Sequence, residues 1–481
     1  MKKQIVSVMA VAGLSIASLA GAQELNIIGA SAQYDFLNEN VVNFVHQYCP
    51  TTVPAFVSLT TGTKGENFQY KTGNGNTIKH GVVTGSGCTG LPDGTTTLTV
   101  RYAGIASGEG IQARNNQPPL DLELNDGCTN SQRLMATTTG ILPSTTCLQA
   151  DGTTPKCVTD GDLPTYKTKT SCVSINIGTS DTAAKQFNQT YSNEWYSADG
   201  VTNTLAQLPT LTDPANNNDT VAVPFAFYVN PGVTARHCAT TAAAGSVRTG
   251  GYCTSDANCL VGVCETNATT IDNLSRLQAN ILFNGQITNW NQLGAYFTSN
   301  DVKLCNRKPG SGTLVAFDKT VMSAGGTGWG APFFKILNND LTNSAPYNVF
   351  NGSSTDMKNC LAGTDGSLQA DGVTPIPATG AVGYMDADTA SSAGKYTRVA
   401  YNGVVPSRFN VRNGAYEFYS VGHMYTDAST MAGNLVTWVQ DPTHVPSGKA
   451  KFWATAKEMQ FVRGTDIAYP SKGTPTAIQT P

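Results

Sequence analysis

Asn306-Arg307-Lys308-Pro309-Gly310-Ser311-Gly312-Thr313, followed by Leu314-Val315-Ala316-Phe317, reads as the end of a strand, a tight glycine-rich turn and the start of a helix. Glycines at 310 and 312 let several backbone N–H groups crowd one point. The hydroxyls of Ser311 and Thr313 stand where helix N-caps stand, and Leu314, Phe317 and Val321 follow at roughly helical spacing. A helix start carries about half a positive charge and several N–H donors with no partner inside the helix, so it suits an anion. Arg307 adds a planar fork that matches phosphate or carboxylate. Taken alone, the segment is equally readable as a Gly/Ser turn beside a surface arginine, because short glycine-rich matches are weak evidence.

The surrounding chain narrows the choice. Its 481 residues are too many for one core and suit two compact lobes. Apolar residues make up 40% and charged residues 13%, and Thr, Asn, Gly and Ser abound, as in a loop-rich, β-containing exported protein. A net charge of −3 with no Lys/Arg-rich run argues against nucleic acid as a partner. Met1-Lys2-Lys3, the apolar run Ile5 to Leu19 and the small residues Ala20-Gly21-Ala22 have the form of an export signal cut after Ala22. No second hydrophobic span follows, so a membrane-spanning protein is not expected.

The twelve cysteines in such a chain point to disulfides, whose pairing the sequence leaves open. Cys147 and Cys157 bracket a turn that a disulfide could close, and Cys238, Cys253, Cys259 and Cys264 read as a small disulfide knob. No Cys-x-x-Cys pair and no His-Glu-x-x-His motif occurs, so no metal or cofactor is expected. A hydrolase would need a metal cluster or an activated nucleophile with its base, and neither pattern is present.

Other turns repeat the strand–turn–helix theme. Leu25 to Ile28 reads as a strand leading through Gly29-Ala30-Ser31-Ala32-Gln33-Tyr34 into a helix over Phe36–Val45. Thr97 to Tyr102 reads as a strand ending in Ala103-Gly104-Ile105-Ala106-Ser107. Val173 to Ile177 alternates like a strand and ends at Gly178-Thr179-Ser180-Asp181. Ser107 could be a plain turn serine, and Asp181 could be a helix N-cap. Val221 to Val229 is the strongest strand run, and Asp272 can cap a helix through Phe283 with Leu274, Leu277, Ile281 and Leu282 on one face.

In this order, together with Leu274 to Leu277, Ile287 to Trp290 and Gly380-Ala381-Val382-Gly383-Tyr384, the segments resemble the periplasmic phosphate-binding proteins of ABC importers. The match runs in patches over most of the chain, with large insertions between them. The resemblance implies an α/β, two-lobed periplasmic-binding-protein (type II) fold with two interlobe crossings and disulfide-bearing insertions. It places the signal peptide at 1–22, lobe 1 at 23–224 and 386–481 with an insertion at about 113–172, and lobe 2 at 225–385 with a Cys-rich insertion at about 233–270. It implies ligand contacts from Gln33, Tyr34, Ser107, Asp181, Arg307, Ser311, Gly312 and Thr313. Backbone groups at Gln33 and Tyr34, hydroxyls of Ser107, Ser311 and Thr313, the Arg307 fork and the Asp181 acceptor would surround a tetrahedral anion. An acceptor suits an oxyanion that still carries a proton, which phosphate does near neutral pH and sulfate does not. Two positions depart from the family pattern: Gln33 replaces a hydroxyl residue, and Glu109 puts a carboxylate beside the anion. The implied function is that of an exported, monomeric, non-enzymatic receptor, periplasmic or secreted, that captures inorganic phosphate for an ABC importer membrane complex. The alternative is a secreted or surface interaction protein on the same scaffold with altered or lost anion binding.

Overall fold

The computed structural model describes residues 22–50, 66–71, 77–119, 128–136, 142–143, 157–160, 166–187, 194–196, 202–204, 211–243, 245–308, 310–322, 345–369, 371–462 and 476–477. The export signal apart from Ala22, a short packed element read at Phe333–Leu337, and Cys147 lie outside these residues.

Two sheets share one strand. The first contains β1 (Gln23–Gly29), β2 (Thr77–Ser86), β3 (Thr97–Gly104) and β4 (Ile177–Ser180). β1 runs parallel to β3 on one side and to β4 on the other, and β2 pairs antiparallel with β3. The shared strand, β5 (Asn217–Val229), is the long apolar run around Val221–Val229, and residues 221 to 229 are all fully buried. The second sheet holds β6 (Lys303–Arg307), β7 (Tyr347–Asn351), β8 (Ala381–Asp386) and β9 (Thr397–Tyr401). β6 is parallel to β7 and β8, and the second half of β5 lies between β8 and β9. The first half of β5 pairs with β10 (Tyr419–Thr426), which closes the first sheet against β4. Pro224, which has no N–H to give to a ladder, stands where β5 changes partner. The architecture is α/β with two lobes, and its insertions carry disulfides.

The strand pairings move one boundary. The chain does not return to the first lobe at residue 386. β9 fills the open edge of β5 opposite Phe227–Val229, burying Val399 and Tyr401. The return falls at Phe418–Tyr419, where the Phe225 N–H donates to the Phe418 carbonyl at 2.9 Å. Phe227 is the hub of the second lobe, its ring 5.2 Å from Phe418, 5.4 Å from Tyr401 and 5.8 Å from Phe317.

Helices follow strand ends. Those near the site are α1 (Tyr34–Tyr48), α2 (Ser107–Arg114), α3 (Arg276–Phe283), α4 (Gly312–Phe317) and α5 (Ser354–Ala362), and two more helices, Arg408–Arg412 and Thr430–Gln440, follow later in the chain. The reading of α3 needs correction. Its cap is Ser275, which accepts from the Gln278 N–H while the Gln278 side chain accepts from the Ser275 N–H. Asp272 instead pairs with Arg248, and Leu277 faces solvent. The single strand read across Val173–Ile177 is two strands, Tyr166–Ser174 and β4, split by Asn176. The Asn176 side chain accepts from the Asn26 N–H at 3.0 Å and donates to Asp427 at 2.9 Å. Side-chain bonding of this kind offers the backbone an alternative to the ladder.

The disulfides among the described residues are Cys49–Cys88, Cys128–Cys172, Cys238–Cys259, Cys253–Cys264 and Cys305–Cys360. Two of them build the expected knob in the Cys-rich insertion. Cys305–Cys360 ties β6, two residues before Arg307, to α5.

Candidate functional site

Three turns meet at the junction of the lobes. In the first lobe, α2 opens at Ser107 and β4 ends just before Asp181. The Ser107 hydroxyl donates to Asp181 Oδ2 at 3.0 Å and accepts from the Asp181 N–H at 3.0 Å. Gln33 Nε2 donates to Asp181 Oδ1 at 3.2 Å and to the Ser180 carbonyl at 2.9 Å. Each carboxylate oxygen therefore has one protein donor. Gln33, Ser107 and Asp181 are all buried, and burial pushes the Asp181 carboxyl up to about 6, while Gln33, Ser107 and Arg307 pull it down. Near neutral pH the carboxylate is charged, held in place and acceptor-only.

The second lobe supplies the cation. Arg307 ends β6 and is fully buried. Its Nε donates to the Asn351 carbonyl at 3.3 Å, and Nη1 to the Thr313 hydroxyl at 3.4 Å. Its Nη2 donates to the Gly352 carbonyl at 3.1 Å and, across the lobe boundary, to the Ser31 hydroxyl at 3.2 Å. Gly310 takes a left-handed conformation, φ +84°, as a tight turn there requires. Ser311 caps α4, its hydroxyl accepting from the Leu314 N–H at 3.4 Å. The Gly310 carbonyl accepts from the Gly108 N–H at 3.1 Å, a second bond between lobes. A Cβ on Gly312 would lie 2.1 Å from Ser107 Oγ and 2.9 Å from the Asp181 Cβ, so only glycine lets the two loops approach this closely.

The structure thus brings Gln33, Ser107, Asp181, Arg307, Ser311, Gly312 and Thr313 together. Tyr34 is placed differently. Its ring stacks on Tyr102, centroids 5.3 Å apart, within the first lobe's core, and its N–H donates to the Ser31 carbonyl at 3.3 Å. Glu109 is fully buried in an ion pair with Arg133, whose guanidinium also donates to the carbonyls of Asn130, Gln132 and Gln117. Its charge is balanced inside the lobe, so the repulsion expected beside an anion is removed.

Other contributors were not singled out in the sequence. Ser31 lay within a quoted turn, yet nothing marked its hydroxyl as a partner for Arg307. Asn351 and Gly352 act through carbonyls, which sequence does not advertise. Asp386, the last residue of β8, stands two positions beyond the Gly380–Tyr384 segment.

No family model matches this chain, and no curated protein matches it. Among solved structures it is similar to a high affinity periplasmic phosphate-binding protein, PfluDING, bound with phosphate, at 11% identity over 89% of each chain with a TM-score of 0.40. A putative phosphate ABC transporter substrate-binding protein with bound phosphate from Clostridium perfringens aligns at 11% identity over 88% of this chain and 95% of that one, TM-score 0.37. A phosphate binding protein from Stenotrophomonas maltophilia aligns at 16% identity over 88% of this chain and 84% of that one, TM-score 0.35. At such low superposition the site has to be judged on its own residues.

Proposed function

We propose that this chain is an exported receptor that captures inorganic phosphate between its lobes, without turnover, for delivery to an ABC importer. The convergence of Ser107, Asp181 and Arg307, from three turns distant in the chain, into one buried cluster carries this reading. The guanidinium and the hydroxyls of Ser31 and Thr313 are donors for an oxyanion, and Asp181 is an acceptor fixed by Gln33 and Ser107. An anion bound there gains charge-assisted hydrogen bonds in a water-poor site. A ligand proton satisfies Asp181, whereas a fully ionised oxyanion leaves lone pair facing lone pair. An unmet buried acceptor costs roughly 1–3 kcal/mol, and more when charged. Sites that require a hydrogen bond can reject an analogue lacking it by about 10⁴. The five disulfides among the described residues fit an oxidising compartment, periplasmic or secreted. Isothermal titration of the purified chain at pH 7.5 with phosphate and with sulfate tests the assignment. Tight phosphate binding with sulfate at least about a hundredfold weaker is expected; preference for sulfate, or no heat with phosphate, would overturn it.

A further inference from the structure

Residues 449–460 are built into the first lobe and hold on to the second. Ala454 and Thr455 pair antiparallel with Ala222 and Val221 in the first half of β5. The Trp453 ring stacks on Phe36 of α1, centroids 4.9 Å apart. Both anchors lie in the first lobe, and the residues on either side of them reach across. Lys449 Nζ donates to Asp388 Oδ2 at 2.6 Å, two residues beyond the end of β8. The Lys451 carbonyl accepts from the Arg408 N–H at 2.7 Å. Phe452 packs against the apolar cluster that holds Tyr228 and Met385, and the Arg398 guanidinium of β9 lies over its ring, 4.6 Å from the centroid. Glu458 takes the Arg408 guanidinium as a fork, Oε1 accepting from Nε at 3.0 Å and Oε2 from Nη2 at 2.7 Å. The Gln460 N–H donates to the Arg412 carbonyl at 3.0 Å. The carboxylates of this set are sheltered, Glu458 at 8% and Asp388 at 9% side-chain exposure, so water and salt weaken these pairs less than pairs in the open.

We propose that this segment is a strap that holds the lobes together with or without a ligand, so that phosphate enters and leaves only when the strap yields. The ligand in this statement rests on the phosphate reading; the strap's contacts do not. Opening swings the second sheet about β5 and the Phe418–Tyr419 return. A rotation leaves in place only contacts that lie on its axis, and contacts spread over Asp388, Arg398, Arg408 and Arg412 cannot all lie there. The strap touches none of the residues that surround the anion, so it favours the closed form equally whether empty or loaded. Equal stabilisation of both shifts no equilibrium between them. It does make the open form rarer, and the open form is the route in and out. Association and dissociation therefore slow by one common factor. Retention is set by the strap, and affinity by the site.

The test uses the parent, Glu458→Gln and Phe452→Ala, with small-angle X-ray scattering in the absence of ligand and stopped-flow kinetics with inorganic phosphate. Glutamine at 458 keeps an oxygen for the Thr455 N–H, which Glu458 Oε2 accepts at 2.9 Å. Phe452→Ala changes no charge, so its rates cannot reflect an altered field at the site, and it stands in should Glu458→Gln fail to fold. Without ligand each variant should have a larger radius of gyration than the parent. Its association and dissociation rate constants should both rise about three- to tenfold, with their ratio within about twofold of the parent's, as loss of one or two sheltered contacts predicts. Equal radii for parent and variants, unchanged rates, or an affinity change carried by one rate alone overturns the strap and leaves the phosphate reading intact. A parent that binds no phosphate overturns that reading, and the comparison of radii then decides the strap by itself.

Discussion

Asp181 and Asp386 are both buried acids, and their surroundings differ. Asp181 has a donor on each oxygen and faces the opposite lobe across Gly312. Asp181→Asn, which replaces an acceptor-only group by one that also donates, should cut the phosphate-to-sulfate affinity ratio by about ten- to a hundredfold, since one buried hydrogen bond of this kind is worth roughly 1–3 kcal/mol. Paired titrations read the ratio directly, and an unchanged ratio would remove Asp181 from selectivity. Asp386 makes a stability prediction. Its native pKa, about 7, lies above the ordinary carboxylate value of 3.8, so between those pH values the native state holds a proton that the unfolded chain has lost. Stability from this group is therefore present at low pH and is lost as pH rises toward and past 7. Asp386→Asn should be more stable than the parent at pH 8 by about 1–3 kcal/mol, with the gap narrowing by pH 5 and closing near pH 4. Thermal unfolding at the two pH values checks it, and a gap independent of pH would contradict it. Asp181 was legible in the sequence because it follows an apolar strand and a Gly-Thr-Ser turn. Asp386 was not, because its partner Ser354 comes from an element that only the parallel sheet brings to its end.

At the scale of elements, the glycine-rich turn matters most. Gly312 lets α4 touch the turn that carries Asp181, and a methyl group there would collide with Ser107 Oγ. Gly312→Ala should lower phosphate affinity at least about tenfold by holding the half-sites apart, since misplacement of about 1 Å at a polar constellation can cost two orders of magnitude. Because the collision is confined to the contact of α4 with Ser107 and Asp181, thermal stability without ligand should change little. Equal phosphate affinity in variant and parent would show that the loops do not need to meet. Strand–turn–helix units were readable because local chemistry writes them: apolar runs such as Val221–Val229, then small residues, then helical spacing. The errors arose where distant side chains override local pattern. Asn176 breaks an alternating run by bonding Asn26 and Asp427, and Leu277 keeps its helical spacing yet faces solvent. Disulfide pairing was illegible for the same reason: Cys305 and Cys360 are joined by the packing of β6 on α5, across 55 residues.

For the whole molecule, the two sheets share β5, so the lobes are linked through one strand, the return at Phe418–Tyr419, contacts across the site and the strap at 449–460. The two-lobed plan could be read from length, from the order of the turns and from the long apolar strand. The position of the return crossing could not, because β9 is placed by the open edge of β5 and not by its own sequence. At the site the lobes are joined by the Arg307–Ser31 and Gly108–Gly310 hydrogen bonds and by Val315 of α4 packed with Ile111 and Phe187, contacts that a ligand would reinforce. A crystal structure of the protein grown with inorganic phosphate tests the central claim most directly. It should show phosphate enclosed between the lobes, with one oxygen on the Arg307 guanidinium, one on the Thr313 hydroxyl and one within hydrogen-bond distance of Asp181. Phosphate bound elsewhere, or absent from this cluster at saturating concentration, would contradict the account.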